Sequence, residues 1–62
     1  MHLNKYLEYH NITMSKFAQD TGIKADTLNK YRYGLRIPNV ENMRIIADKT
    51  FGKVTANDFY DL

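Results

Sequence analysis

The sequence predicts an all-α fold, a compact bundle of about five short helices, on the strength of three observations. Hydrophobic residues make up 44% of the 62 residues and charged residues 26%, the composition of a folded domain rather than a disordered tail. Apolar residues recur at the i, i+3, i+4 spacing of a helix face, and polar or glycine-bearing turns separate these stretches. The chain contains no cysteine, so disulfides and thiolate metal sites are excluded.

We expect residues 1–62 to form a single domain. The predicted helices span about 3–10, 14–21, 25–33 and 40–49, with a short fifth helix after residue 55. Thr13, Asn39 and Thr55 are the predicted N-caps, because their side-chain oxygens can accept hydrogen bonds from a first helical turn. Gly22 is expected to end the second helix in a left-handed conformation. The side chains predicted to face the core are Leu3, Tyr6, Leu7, Met14, Phe17, Ala18, Thr21, Leu28, Tyr31, Val40, Met43, Ile46 and Ala47.

The middle of the chain has the layout of two helices that pack across each other at a tight turn. Ala18 is a small residue that allows a close approach, Gly22 lies in the turn, and Ile23 is the apolar residue after it. Leu28 and Tyr31 then give the second of these helices an inward face. This order predicts a helix-turn-helix, although an ordinary helical hairpin has similar spacing and stays open as an alternative.

The sequence offers no pattern for catalysis, metal binding or a cofactor. Ser15 has no base at nucleophile spacing, and a chain of 62 residues leaves little room for a pocket once its core is filled. His2 and His10 have no third ligand and are interpreted as solvated surface side chains. No apolar run approaches the ~20 residues of a membrane span, and the first residues lack the apolar segment of a secretory signal. We therefore expect neither an enzyme nor a membrane protein, and no small-molecule ligand.

Residues 12–34, ITMSKFAQDTGIKADTLNKYRYG, resemble the helix-turn-helix of phage repressor and Cro-like transcription factors, the lambda-repressor-like or XRE-type family. The continuation at 36–42, RIPNVEN, is similar to the R-x-P-S-x-x-N pattern that leads into this family's fourth helix, with Asn39 in place of the usual Ser cap. The resemblance covers residues 3–59. It implies a DNA-binding regulator whose third helix enters the major groove of a pseudo-palindromic operator.

Some positions depart from the family pattern. Met14 stands where the family often has a Gln that braces a phosphate contact, so that contact must come from neighbouring groups at the start of the second helix. Lys24 stands where Ser or Thr usually caps the third helix, which is the recognition helix of this family. Ala25 and Asp26 occupy the first recognition positions, where Gln and Ser are frequent. The operator preferences of relatives therefore do not transfer to this chain.

Positive charge is concentrated around the predicted third helix. Lys24, Lys30, Arg32 and Arg36 are accompanied there by one carboxylate, that of Asp26, which gives a net charge of +3 where the whole chain carries +2. Lysine and arginine side chains that neutralise phosphates release counterions and supply non-specific affinity for DNA. A solvated helix face explains the same residues and stays open as the alternative.

Four residues on the outer face of this helix are expected to contact bases: Ala25, Asp26, Asn29 and Lys30. Lys30 can donate to guanine and Asn29 can pair with adenine, whereas a carboxylate can only accept, which suits cytosine N4. The Ala25 methyl can meet a thymine methyl. Asp26 also has structural interpretations, because the helix dipole favours it in a first turn and Lys30 is its i+4 partner.

Phosphate contacts are expected before and after these positions. Residues that follow the third helix, among them Arg36, are interpreted as contacts that fix the register of the protein on the duplex. The expected set is Thr13, Ser15, Lys16, Lys24, Thr27, Tyr33, Arg36 and Asn39.

One recognition helix covers too few base pairs to select a site, so we expect a weak homodimer that is completed on DNA. The predicted dimer residues lie in the tail beyond the fourth helix: Phe51, Val54, Phe59 and Tyr60. This tail is more apolar than its length requires and is net negative, which keeps it away from phosphate. The alternative is that Phe51 and Phe59 fill the core.

The sequence therefore predicts a regulator of transcription that binds double-stranded DNA sequence-specifically, in the simplest case a Cro-like repressor of phage type. An antitoxin or an excision factor would use the same fold. A helix-turn-helix module that contacts only proteins is an alternative of another class. The expected localisation is the cytoplasm of a bacterial host, in association with the nucleoid.

Overall fold

The computed structural model describes residues 1–59 and confirms the predicted all-α fold. No strand occurs among these residues, and the five helices are α1 (Leu3–Tyr9), α2 (Met14–Thr21), α3 (Ala25–Arg32), α4 (Val40–Lys49) and α5 (Ala56–Phe59). The predicted ends of the first and third helices are each one residue too late, and the bounds of the second and fourth agree. No helix in the described part of the chain is long and apolar enough to cross a bilayer.

One apolar cluster forms the core and joins α1, α2, α3 and α4. Phe17, Leu28 and Ile46, the shared core predicted from the sequence, are all buried. Each comes from a different helix, so the contacts that bury one helix face also position its neighbours. The complete cluster consists of Leu3, Tyr6, Leu7, Phe17, Ile23, Leu28, Tyr31, Ile46 and Val54.

The inward face of α4 differs from the predicted one. The prediction that Val40 is buried is wrong. Val40 is the first residue of α4, and it is 67% exposed. Met43 and Ala47, also predicted to face the core, are half-buried. The inward row contains Ile46 and Thr50, both completely buried, and the half-buried Asn42, and Ile45 packs against the core beside them. The two polar members have hydrogen-bond partners: the Thr50 hydroxyl donates to the Ile46 carbonyl oxygen at 2.8 Å, and Asn42 Nδ2 donates to the Tyr31 hydroxyl at 2.9 Å.

Val54 and Phe59 of the tail beyond α4 pack into or against the core. Val54 is completely buried, so the prediction that it contacts a second copy is wrong. Phe59 is half-buried, and its ring packs edge-on against Tyr31 with the centroids 6.2 Å apart, which is the core-filling arrangement that the sequence left open. Phe51, in contrast, is exposed. Tyr60, the remaining predicted dimer residue, lies outside the described residues.

The carboxylate of Asp58 holds the start of α5. Its Oδ2 accepts hydrogen bonds from the Thr55 backbone N–H (2.8 Å), from the Thr55 hydroxyl (3.3 Å) and from the amino group of Met1 (3.0 Å). The backbone contact is one half of a capping box, in which the third helical residue reaches back to the cap. Burial alone would raise the pKa of Asp58. The Thr55 N–H, and then the hydrogen bond and charge of the amino group, outweigh burial and hold this pKa below its ordinary value.

Asp58→Asn should therefore destabilise the fold in a pH-dependent way. Because the folded pKa is lowered, the contribution of the carboxylate is fully present above the unfolded Asp pKa of about 3.9 and is lost as the pH falls through the folded pKa. We expect the free energy of unfolding to fall by about 1 kcal/mol at neutral pH and the difference from the wild type to disappear in acid. Denaturant titrations followed by circular dichroism measure it.

The matched control is Asp48→Asn, which removes an exposed carboxylate from α4. This variant should lower the free energy of unfolding at neutral pH much less than Asp58→Asn does. A loss at Asp58 that persists unchanged in strong acid would contradict the role assigned to its charge.

Candidate nucleic-acid interface

The turn between α2 and α3 is fixed by two adjacent residues. Gly22 has a φ of +76°, in the left-handed region that glycine adopts without strain, and its N–H donates to the Ala18 carbonyl oxygen at 2.8 Å. The buried Thr21 hydroxyl donates to the Phe17 carbonyl oxygen at 2.8 Å and accepts from the Ile23 N–H at 3.2 Å. The predicted helix end at Gly22 is confirmed, and the hydrogen bonds of Thr21 lead the chain into α3.

The start of α2 is a capped and accessible helix end. Thr13 is exposed, and its hydroxyl oxygen accepts from the Lys16 N–H at 3.1 Å, as the sequence predicts. Because the oxygen accepts this bond, the hydroxyl hydrogen stays available for donation to a ligand. Lys16 Nζ lies 3.5 Å from Asp20 Oδ1, so its charge is partly balanced within α2. Ser15 is exposed beside them, whereas Met14 is half-buried and packs against the core.

The helix α3 buries one face and exposes the other. Leu28 and Tyr31 are buried, and Asp26 and Lys30 are exposed, as the predicted orientation of the helix requires. The remaining side chains lie at the border of the two faces and keep part of their surface in solvent. These half-buried residues are Ala25, Thr27, Asn29 and Arg32.

The first turn of α3 combines a carboxylate with uncapped backbone. Within residues 1–59, neither of the two ion pairs involves Asp26, so the structural pairing with Lys30 is not formed. Lys24 precedes the helix and makes no side-chain hydrogen bond that would cap it. The interaction of the Asp26 carboxylate with the helix dipole remains as its structural interpretation.

The end of α3 is attached to two other helices. Arg32 Nε donates to Asn4 Oδ1 in α1 at 2.8 Å, and its guanidinium carbon lies 5.1 Å from the centre of the Tyr33 ring. On the other side, Asn42 in α4 donates to the Tyr31 hydroxyl. The sequence pattern predicts neither attachment, because each joins polar residues from separate helices. Arg32 is one of the positive charges concentrated around the predicted third helix, and its contacts help to position α3.

The loop from α3 to α4 carries the other expected contacts. Tyr33 and Arg36 are exposed. Asn39 is exposed as well, and its Oδ1 accepts from the Asn42 N–H at 2.8 Å, which confirms the predicted cap of α4. Asn39 Nδ2 takes no part in this bond and can donate a hydrogen bond to a ligand. All three loop side chains are therefore accessible to a ligand.

The structure thus contains a capped helix, α2, a glycine turn and a second helix, α3, with one exposed polar face. This arrangement can be compared with known protein families. The family model of the Cro/C1-type HTH DNA-binding domain matches residues 2–48. The chain belongs to this family. The match extends from α1 to the last turn of α4 and confirms the resemblance seen in the sequence. Comparisons of this Cro/C1-type domain with curated proteins and with solved structures gave no match.

Membership of the Cro/C1-type family establishes the general activity of the chain. It is a DNA-binding regulator, and its partner is double-stranded DNA. Domains of this type typically have no enzymatic activity. The exposed face of α3 and the caps of α2 and α4 all lie inside the matched range, whereas Phe51 and Phe59 lie beyond it.

Gly22→Ala should destabilise the Cro/C1-type domain by about 1–2 kcal/mol, the cost of a left-handed conformation for a residue with a Cβ. An added Cβ would meet no atom within 4 Å, so backbone strain alone accounts for the loss. Gly22→Asn should lose less, because Asn tolerates this conformation better. Thermal unfolding followed by circular dichroism compares the two, and equal losses would contradict the conformational explanation.

Proposed function

We infer that the domain is a sequence-specific regulator of transcription, in the simplest case a Cro-like repressor, that inserts α3 into the major groove of a pseudo-palindromic operator. One observation carries this: α3 is held by Leu28 and Tyr31 and presents Asp26 and Lys30 to solvent on its opposite face. The major groove of B-DNA, about 12 Å wide, admits an α-helix. Two copies on half-sites about 34 Å apart supply the selectivity that one helix lacks.

The proposed base contacts offer different chemistry to different base edges. Lys30 donates to guanine O6 and N7, and Asn29 pairs with adenine N6 and N7. The Asp26 carboxylate has no ion pair in the described residues 1–59, so it can accept from cytosine N4. The Ala25 methyl suits contact with a thymine methyl.

The proposed phosphate contacts are side chains that keep a hydrogen-bond donor or a positive charge after folding. Thr13 and Asn39 cap helices through their oxygens and have a donor left over. Lys24 and Arg36 are exposed cations. Lys16 is a weaker member, because Asp20 partly balances its charge. The proposed set is Thr13, Ser15, Lys16, Lys24, Thr27, Tyr33, Arg36 and Asn39.

Binding to duplex DNA at increasing salt concentration tests whether the domain contacts DNA phosphates. Phosphate contacts release counterions, so the affinity of the wild type should fall steeply as the salt concentration rises. A module that contacts only proteins would show no affinity for duplex at any salt concentration. That result would overturn the proposed function.

Base contacts should depend on the DNA sequence. Once selection from a random duplex library has defined the best site, Lys30→Ala and Asn29→Ala should each lose about 1–3 kcal/mol of binding to it and less on random DNA. Fluorescence anisotropy titrations measure both affinities. Lys5→Ala, which removes an exposed lysine from α1, is the control and should leave the ratio of the affinity for the best site to the affinity for random DNA unchanged. Equal losses on both DNAs would make Lys30 and Asn29 backbone contacts.

Arg36→Ala should weaken binding to all sequences alike. Because one phosphate contact is lost, the slope of log K against log salt should become shallower by about one. The same titrations measure this slope, with Lys53→Ala as a control that removes an exposed cation outside the proposed interface. An unchanged slope for Arg36→Ala would remove this residue from the phosphate set.

A further inference from the structure

The outer face of α4 carries Val40, Arg44 and Ala47 with the spacing of a helix-packing seam, and Phe51 follows two residues beyond the end of the helix. Val40, Arg44, Ala47 and Phe51 follow one another at intervals of four, three and four residues. Val40 is 67% exposed and Phe51 is 87% exposed. We call these four residues, together with the neighbouring Asp48, the α4 row. A groove of about 350 Å³ with an almost entirely apolar lining lies beside it, formed by Val40, Met43, Arg44, Ala47, Thr55 and Ala56.

Phe51 is an unfavourable residue for folding at its position. Its φ is +56°, in the left-handed region where a bulky side chain is strained. Its ring is exposed and does not belong to the core cluster. Gly or Asn would suit this backbone better and would place less apolar surface in water. A strained and exposed phenyl ring points to a contact outside the described chain.

The charges of the α4 row select the direction in which a second copy can pack. In an antiparallel pair with its two-fold axis between residues 45 and 46, Val40 faces the partner's Phe51 and Arg44 faces the partner's Ala47. The partner's Asp48 then lies one residue, about 1.5 Å, further along the helix axis, within reach of the Arg44 guanidinium. A parallel pair would instead place the two Arg44 side chains side by side, which is unfavourable.

The other exposed apolar residues suit a second copy less well. Leu35 is 76% exposed and Ile37 is 50% exposed, but they flank Arg36 in the most basic segment of the chain. Two copies that met through this loop would bring like charges together and cover a proposed phosphate contact. The α4 row contains none of the proposed DNA contacts, so it can be buried while α3 is on DNA.

We propose that two copies of this chain associate through the α4 row, with their α4 helices antiparallel and each Phe51 seated in the partner's groove. The proposal deepens the proposed function and rests on it, because an operator with two half-sites needs two recognition helices. One pair of ten-residue helices falls below the ~1,200 Å² that stable interfaces bury. The copies therefore associate weakly in solution and pair when two half-sites hold them together.

Reciprocal charge variants test the antiparallel arrangement. Arg44→Asp alone and Asp48→Arg alone each place like charges across the pair and should weaken dimerisation by about tenfold or more. A mixture of the two variants restores opposite charges at both contacts and should associate as tightly as the wild type. Sedimentation equilibrium without DNA measures this, and circular dichroism establishes that each variant is folded. No effect within one chain can make a mixture associate more tightly than either of its components.

Phe51→Asn tests the apolar contact. Asn suits the left-handed backbone, so the melting temperature at low protein concentration should stay the same or rise, while cooperative binding to two half-sites should weaken by about tenfold or more. Tyr9→Asn removes a similarly exposed aromatic ring, 77% exposed, from α1 and should leave cooperativity unchanged. Leu35→Ser tests the loop, and a loss there as large as that at Phe51 would overturn the assignment to α4.

Duplexes with a single half-site separate this interface from the proposed function. The wild type and all α4-row variants should bind one half-site equally, because the row touches no DNA. If the wild type binds no duplex, the proposed function fails, and sedimentation of the mixed variants still decides on the interface. If the half-site is bound but the mixture associates no better than its components, the interface is overturned.

Discussion

The position of α3 depends on the contacts of Tyr31. Its ring is buried in the core, its hydroxyl accepts from Asn42 in α4, and Phe59 of α5 packs edge-on against it. A helix of eight residues is not stable by itself, so its direction is set by what its buried face touches. The bond from Arg32 to Asn4 adds an attachment to α1. Together with α2, which packs most extensively against α3, the helices α1, α4 and α5 thus determine how the exposed face of α3 is presented to solvent.

Helix bounds and most of the core could be predicted from the sequence, because apolar spacing and capping are local signals. The errors concern α4 and the tail, where polar residues take part in the core. The Thr50 hydroxyl donates to the Ile46 carbonyl and accepts from the Val54 N–H, so it folds the tail back and buries Val54. From hydropathy alone, the polar Thr50 and Asn42 are placed on the surface, and the apolar Val40 is placed on the inward face of α4 instead. The bond from Asn42 to Tyr31 joins two helices, which no local pattern contains. The Thr50 bonds each span only four residues, but hydropathy does not register them.

For the candidate site, the exposed face of α3 could be predicted, but the pairing of individual charges could not. Lys16 and Arg32 look equivalent in a count of basic residues, yet one lies beside Asp20 on its own helix and the other is bonded to α1. Asp26 and Lys30 have the spacing of an ion pair and, in the described residues 1–59, do not form one. The spacing of two charged residues permits a contact without deciding it, because rotamers and competing partners settle which contact forms.

Thr13 and Asn39 each serve the fold with one atom and keep another in solvent. The cap oxygen accepts from the first turn of the helix, while the donor of the same side chain remains open to a ligand. With the proposed phosphate contacts, a substitution at either position that removes the oxygen would change stability and affinity together, so selection could not adjust the two properties independently. An aspartate would keep the cap but bring a negative charge toward phosphate. With those proposed contacts, the good capping residues at the two positions would be restricted to side chains with an acceptor and a donor in one group: serine, threonine and asparagine.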